Sequence, residues 1–419
     1  MTAADGDLDK EWHDMNPRQW QTPMVILLCG GAIVMLSFGI RHTFGIFLRP
    51  MTFDLQWGRE TFAFAIAVQN LVWGFAQPVL GMVADRFGAG RILAACGFLY
   101  ALGLALMSQS TTGLQLAISA GVLVGLGLGG TYAVVFGAVG RAVPAEKRTL
   151  VLGILTALAS FGQFAMLPYG QSLISAVGWS WALLILAANA CLMLPLAIAL
   201  SGNANAAAAP IFAKQTVSAA LAEVRSHRGF WLIWLGFFVC GFQVVFVATH
   251  LPSYLLDKGM SVETGMMALA LIGLANIPGA YFAGYLGGRH SKKFLLAGIY
   301  VARALIIAAF ISLPVTQWSV YAFAVAVGLI WFGTVPLVNG LIAQIFGVQY
   351  FSMLIGLVFV GHQIGSFLGG WLGGLSYQLT GSYQAVWILS IGLSVIAAVL
   401  NALADDQEIE RLAPSPQSA

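Results

Sequence analysis

Two arginines, Arg41 and Arg303, lie deep inside apolar runs of this sequence, and neither run holds an aspartate or glutamate near its middle. The acids, from Asp5 and Asp54 through Asp85 and Glu263 to Glu410, fall instead in tails, loops or helix ends. A charged side chain at the centre of a bilayer costs about 2.5–3.5 kcal/mol on insertion scales, so one kept there faces a cavity or a polar partner and has a function. A guanidinium without a built-in counter-ion is free to take an anion from outside, and it grips a carboxylate through two parallel hydrogen bonds. The chemistry this predicts is recognition of an anionic cargo rather than bond making. The competing role for either arginine is structural hydrogen bonding; Arg303 could brace carbonyls of the eighth or tenth apolar run, or cap a water pocket.

Histidine is the embedded group whose ordinary pKa, about 6.5, allows a proton to be loaded and released near neutrality. His42 beside Arg41, His250 near one end of the seventh run and His362 in the middle of the eleventh are the proton-coupling candidates. Each could equally be a neutral hydrogen-bonding residue, and a proton could travel on the cargo itself while Arg41 reads the anion. Further polar groups stand at similar depth: Gln69, Asn70, Tyr132, Gln163, Gln243, Asn276, Trp331 and Asn339. Arg41, His42, Tyr132, Gln163, Gln243, Asn276, Trp331 and Arg303 make up the expected substrate-binding set. Intramembrane amides also hold helices together, at about 0.6 kcal/mol each, so every one of them has a structural role as its counterpart.

The elements that position these groups follow from composition. Charged residues are 8% of the chain, hydrophobic ones 59%, and the mean hydropathy is +0.86, whereas a soluble domain carries about 25% charged residues. A bilayer-spanning helix needs about 20 mostly apolar residues. Such runs recur at roughly 24–48, 61–83, 92–110, 113–139, 149–175, 179–200, 230–255, 263–286, 294–313, 318–341, 351–377 and 384–403. Helices are the expected spans, because backbone groups in lipid must be satisfied within the segment and no alternating barrel pattern occurs. The first 22 residues carry Asp5, Asp7, Asp9, Glu11 and Asp14, unlike a secretory leader, and read as a cytoplasmic tail. Arg86, Arg91, Arg141, Lys147, Arg148, Arg289, Lys292 and Lys293 then fall inside, against Arg49, Arg59 and Lys258 outside, which places both termini in the cytoplasm. The net charge of +3 thus records topology, and no nucleic-acid partner is implied. Cys29, Cys96, Cys191 and Cys240 all sit within spans and imply no disulfide framework. No Walker loop, HExxH, CxxC or GxSxG occurs, and the glycines at 125, 127 and 129 follow no strand, so neither an enzyme nor a cofactor or metal is expected.

The chain divides at its longest polar stretch. Residues 23–200 and 230–404 form two bundles, with a linker at 201–229 and a tail at 405–419. The linker's NANAAAAP run precedes a segment, Lys214 to His227, with Val217, Leu221 and Val224 on one face, predicted to be a surface helix. Gly81 and Gly284, and likewise Gly153 and Gly356, are each 203 residues apart. A constant offset at two landmarks argues for parallel repeats with a substrate site between them near mid-membrane.

Gly81, Asp85, Arg86, Gly88 and Arg91 in GMVADRFGAGR resemble the signature loop of the major facilitator superfamily, and Gly284, Arg289, Lys292 and Lys293 resemble its degenerate second copy. The resemblance implies an all-α membrane protein of twelve transmembrane helices in two parallel six-helix repeats. It also implies a gate in which Gly81, Asp85, Arg86, Gly88, Arg91 and Arg289 take part, Asp85 meeting a helix N-terminus or a neighbouring arginine when the inner side is shut. Gly288 stands where the second copy's acid belongs. The stretches SFGIRHTFGIFLRPM, THLPSYLLDKG and FGTVPLVNGLIAQIFGVQYFSMLIG are similar to the monocarboxylate-porter branch. That branch implies a small carboxylate moved with a proton and a basic residue in the first helix, where Arg41 and His42 stand; its usual acid and arginine of the eighth helix are replaced by GLANIPGAYFAG, with Asn276 alone. In the resembled fold the first helix lines the cavity and the ninth, which carries Arg303, is peripheral. The expectation is an integral multi-pass secondary transporter of a small organic anion, a monocarboxylate above all, working as a monomer by alternating access, in the inner membrane if its source is bacterial. The rival expectations are a proton-coupled efflux antiporter and a non-transporting sensor of the same fold.

Overall fold

The computed structural model describes residues 20–201, 215–409 and 411–412. Most of the expected N-terminal tail, the NANAAAAP run with Lys214, Glu410 and the end of the C-terminal tail lie outside the described residues. Every regular element among the described residues is helical. Helix α1 is Pro23–Asp54, α2 Arg59–Phe87, α3 Ala89–Met107 and α4 Gly113–Ala142. A single 54-residue run, Ala145–Ile198, follows. Gly178, at φ 80°, divides it into α5 (145–177) and α6 (179–198). In a continuous helix Tyr169 and Asn189 would be about 30 Å apart; instead Asn189 Nδ2 donates to Tyr169 Oη at 3.1 Å, so the chain reverses there. After a short linker helix, Val217–Ser226, come α7 (Arg228–Asp257), α8 (Val262–Gly287), α9 (Lys292–Ser312), α10 (Gln317–Phe346), α11 (Phe351–Thr380) and α12 (Gln384–Ala402). Among the described residues eleven helical runs, counting Ala145–Ile198 as one, are long and apolar enough to cross a bilayer.

Local chemistry sets the ends. Thr22 caps α1 by accepting from Val25 N, and Pro23 occupies the first helical position, where no N–H is needed. Gly88, at φ 101°, ends α2 and begins α3 in one residue, a conformation that a side chain would oppose. Thr316 and Ser319 form a reciprocal cap at the start of α10.

Three expectations change. The first helix continues through Pro50 to Asp54 rather than ending near residue 48, because one missing N–H removes only one bond of the ladder. The tenth helix is broken: residues 330–333 separate Gln317–Leu329 from Thr334–Phe346. Non-helical backbone at this depth persists only where protein satisfies it. Arg303 Nη2 donates to the Ile330 carbonyl at 2.9 Å and to that of Trp331, and Phe332 N donates to Asn276 Oδ1 at 3.0 Å. The linker helix buries Ala220 and Val224 and leaves Leu221 42% exposed, so its inward face is turned from the expected one. Glu223 sets that rotation by pairing with Arg411 at 3.1 Å, while the Gln215 carbonyl accepts from Gln349 and Tyr350. All of these partners lie C-terminal to α7, so the linker helix travels with α7–α12.

The first six and last six helices meet through two seams built on glycine. A Cβ on Gly81 of α2 would lie 2.5 Å from the Ser352 carbonyl oxygen of α11, and one on Gly356 of α11 2.5 Å from Pro78 N of α2. In the second seam, Cβ atoms on Gly153 of α5 and Gly284 of α8 would each lie 2.8 Å from the other residue's Cα. The glycines 203 residues apart thus occupy corresponding places, Gly81 and Gly356 in one seam, Gly284 and Gly153 in the other. Gly356→Leu should force α2 from α11, lower the melting temperature of the detergent-purified protein and stop transport, because the obstacle is backbone and overpacking costs about 1–3 kcal/mol or more. Gly273→Ala is the control, since a Cβ there meets nothing within 4 Å, and its melting curve should match the wild type.

Candidate substrate site and gate

Arg41 is half-buried on α1. Its Nη2 donates to Asn70 Oδ1 of α2 at 2.9 Å, its Cζ lies 5.9 Å from the Trp73 ring centre, and its buried Nε has no partner. Among the described residues no carboxylate forms a salt bridge with it; the pairs are Asp85 with Arg141, Asp406 with Lys293 and Glu223 with Arg411. Across from Asn70, Gln363 Nε2 of α11 donates to the Asn70 carbonyl at 3.0 Å. Asn70 therefore links α1, which carries the arginine, to α11.

An aromatic layer adjoins this group. Trp73 packs edge-on to Phe38 at 5.6 Å and against Phe359 of α11 at 5.0 Å. Tyr132 of α4 lies 5.0 Å from the same Phe359, and its hydroxyl accepts from Asn339 of α10 at 3.4 Å. His362 stacks on Phe359 at 5.1 Å and faces Phe237 of α7 at 4.9 Å, with Nδ1 3.4 Å from Ser366 Oγ. Four helices, α2, α4, α7 and α11, so converge on the Phe359 ring.

The other expected substrate residues sit elsewhere. His42 engages the Phe38 carbonyl of its own helix at 2.8 Å. Gln163 is half-buried on α5. His250 Nε2 lies 2.9 Å from the Gly370 carbonyl, between the Phe246 and Tyr383 rings. Asn276 Nδ2 donates to Ser160 Oγ of α5 at 2.6 Å, so it ties the break of α10, where Trp331 lies buried, to the first six helices. Arg303 and Gln243 form a separate buried network. Gln243 Oε1 accepts from Arg303 Nη1 at 3.3 Å, while its Nε2 donates to the Ser390 carbonyl and Ser394 Oγ of α12. Of the roles open to Arg303, the geometry supplies the bracing of carbonyls, and in α10; Arg303 and Gln243 face α12 and the α10 break and make no hydrogen bond with Arg41 among the described residues.

Asp85 lies at the end of α2, as expected, yet it is only 6% exposed. Its Oδ1 pairs with Arg141 Nη1 of α4 at 2.6 Å, and its Oδ2 accepts from Met353 N, in the first turn of α11, at 2.9 Å. Arg141 also reaches Ser352 Oγ at 3.3 Å. A carboxylate at a helix N-terminus satisfies free N–H groups and meets the positive end of the helix dipole. This contact and the Gly81 seam tie α2 to α11 at the end where α2 joins α3. Arg86, Arg91 and Arg289 are exposed; Arg86 lies over Phe87 and Arg289 over Tyr285, whose hydroxyl it also meets. These arginines make no hydrogen bond across the seam among the described residues, so the polar contact there consists of Asp85, Arg141, Ser352 and Met353. Sequence reasoning missed Arg141, Ser352, Trp73 and Phe359; the signal for Trp73 was its place one turn after Gln69 on a helix already marked as polar.

The family model of the Major Facilitator Superfamily matches residues 27–350. The chain belongs to that superfamily. Among curated relatives, the uncharacterized MFS-type transporter YhjX of Escherichia coli (strain K12) is 24% identical over 84% of this chain and 88% of its own length. Monocarboxylate transporter 13 of Rattus norvegicus is 25% identical over 85% and 82%. Among solved structures, the fucose transporter FucP in its outward conformation superposes with a TM-score of 0.73 at 16% identity, over 91% of this chain and 98% of that one. At that identity the likeness shows the major facilitator fold alone. The fold and the relatives identify an integral multi-pass membrane transporter and not an enzyme.

Proposed function

We propose that this facilitator carries a small organic anion, a monocarboxylate above all, by alternating access coupled to protons. In this reading the chain crosses the membrane twelve times with both termini in the cytoplasm. Residues 23–200 and 230–404 are the two rocking halves, and the Asp85 contact locks the cytoplasmic end. The observation that carries the cargo class is Arg41, a guanidinium among the helices whose single hydrogen bond among the described residues goes to a neutral amide, Asn70. Asn70, Trp73, Gln363 and Tyr132 surround the bound anion. Relatives named as monocarboxylate transporters support the same class at about one quarter identity.

A thermal-shift screen of the purified protein against short carboxylates, amino acids, sugars and cationic drugs tests this reading. A ligand that binds only the folded state stabilises it by about 2.7 kcal/mol at 100 times its Kd. Short carboxylates should raise the melting temperature and cationic drugs should not; the reverse pattern would overturn the reading in favour of efflux.

A further inference from the structure

Gln77 of α2 enters none of the contacts described so far. It is fully buried, and neither its Oε1 nor its Nε2 has a hydrogen-bond partner among the described residues. A buried amide unpaired at both ends is rare enough in native proteins to need a reason. Its backbone lies where three helices meet: a Cβ on Gly356 of α11 would be 2.7 Å from the Gln77 carbonyl carbon, and one on Gly129 of α4 3.6 Å from its amide nitrogen. Along α2 it follows Trp73, the ring against Phe359, by one turn and precedes Asp85 by two. Gln77 therefore stands between the aromatic layer beside Arg41 and the lock.

We infer that Gln77 is a second binding station on the transport path, which takes as the neutral acid the same cargo that Arg41 takes as the anion. This rests on the anion reading above and adds the route of the proton. A carboxylate offers only acceptors, which a guanidinium matches with donors. A protonated carboxylic acid offers one acceptor and one donor, and a carboxamide matches both, Nε2–H to the carbonyl and Oε1 to the hydroxyl. An anion at Gln77 would meet Oε1 with no free cation beside it, since Arg141 is already held by Asp85. Among the described side chains, the charged and titratable groups on the helices around it are Cys29, Arg41, His42, Arg49 and Asp54 on α1, Asp85 and Arg86 on α2, Tyr132 and Arg141 on α4, and His362 and Tyr377 on α11. The proton balance closes without any of them. As the carboxylate leaves Arg41, whose charge favours the anion, it takes a proton from hydronium in the facing solution, giving the neutral acid and water. Beyond the lock the acid returns that proton to water.

The test uses acetate and L-lactate, with methanesulfonate and isethionate as counterparts that stay anionic at every usable pH. With wild-type protein in liposomes, the sulfonates should compete for binding and not accumulate. Gln77→Leu should keep the thermal shift with lactate, since Arg41 is intact, while uptake falls at least about tenfold. Gln77→Glu should recover uptake only in acid, because a protonated glutamic acid presents the same donor and acceptor as the amide. His362→Gln should keep accumulation driven by a pH gradient. Sulfonate accumulation as fast as lactate, wild-type uptake in Gln77→Leu, or lost accumulation in His362→Gln would each overturn the inference. So would parallel loss of binding and uptake in both Gln77 variants, which marks a structural amide. If no carboxylate shifts the wild-type melting temperature, the anion reading falls, and the inference falls with it.

Discussion

Arg41→Gln is expected to cut carboxylate uptake into proteoliposomes on the order of 100-fold, with no fall in melting temperature. The size follows from the bonds lost. Hydrogen bonds to charged groups contribute about 1.5–3 kcal/mol each, and about 3 kcal/mol corresponds to roughly a hundredfold in affinity. Stability should hold because Arg41 makes only one hydrogen bond among the described residues, to Asn70 Oδ1, and because a charge without a carboxylate partner is removed from apolar surroundings. Arg41→Lys keeps the charge and loses the planar fork, so it should fall between, with a loss on the order of tenfold. Wild-type uptake in the glutamine variant would remove the anion site; a collapsed melting temperature would reassign Arg41 to structure.

The second large effect is expected at the lock. Asp85→Asn should shift the protein away from the state in which α2 and α11 are joined, by a factor on the order of 100. Breaking one partner of a buried pair costs about 3–5 kcal/mol, because the other charge is left behind, here Arg141 with 9% of its side chain exposed. The loss falls mainly on the joined state, because the Asp85–Arg141 pair, which lies within the first six helices, is buried there and hydrated when the halves part, and because the bond to Met353 N exists only when they are joined. Spin labels at Phe87 and His290, on opposite sides of the seam, should therefore report longer distances in Asp85→Asn than in wild type. Removing both charges in Asp85→Asn with Arg141→Gln should bring the distances partly back, since no buried charge is then stranded. Unchanged distances in the single variant would show that the glycine seams close this end by themselves.

The helices were legible because each needs a long apolar run; the gaps between runs at 83–92 and 175–179 hold Gly88 and Gly178, whose positive φ makes the breaks. The partner of Asp85 was legible as a type: a helix N-terminus or an arginine was expected, and Asp85 has both. Arg141 itself was not, since it is 56 residues away and chosen by how α4 packs against α2. The break in α10 was invisible for a similar reason. Residues 330–333 are apolar or glycine, and what allows them to leave the helix is Arg303 and Asn276, from two other helices.

The sequence by itself determined which groups enter the apolar layer, and that no carboxylate enters near the middle of a run. Transfer free energy depends on residue type and run length, both of which are one-dimensional. Only the tertiary structure decided how fully those groups are paired. Arg41 and Arg303 are alike in hydropathy terms and each leaves Nε unpaired among the described residues, yet Arg303 spends its Nη donors on Ile330, Trp331 and Gln243, while Arg41 makes one hydrogen bond, to Asn70, beside Trp73. The difference lies in the rotation of each helix about its axis and in the choice of its neighbours, which close packing between helices sets and hydropathy does not encode.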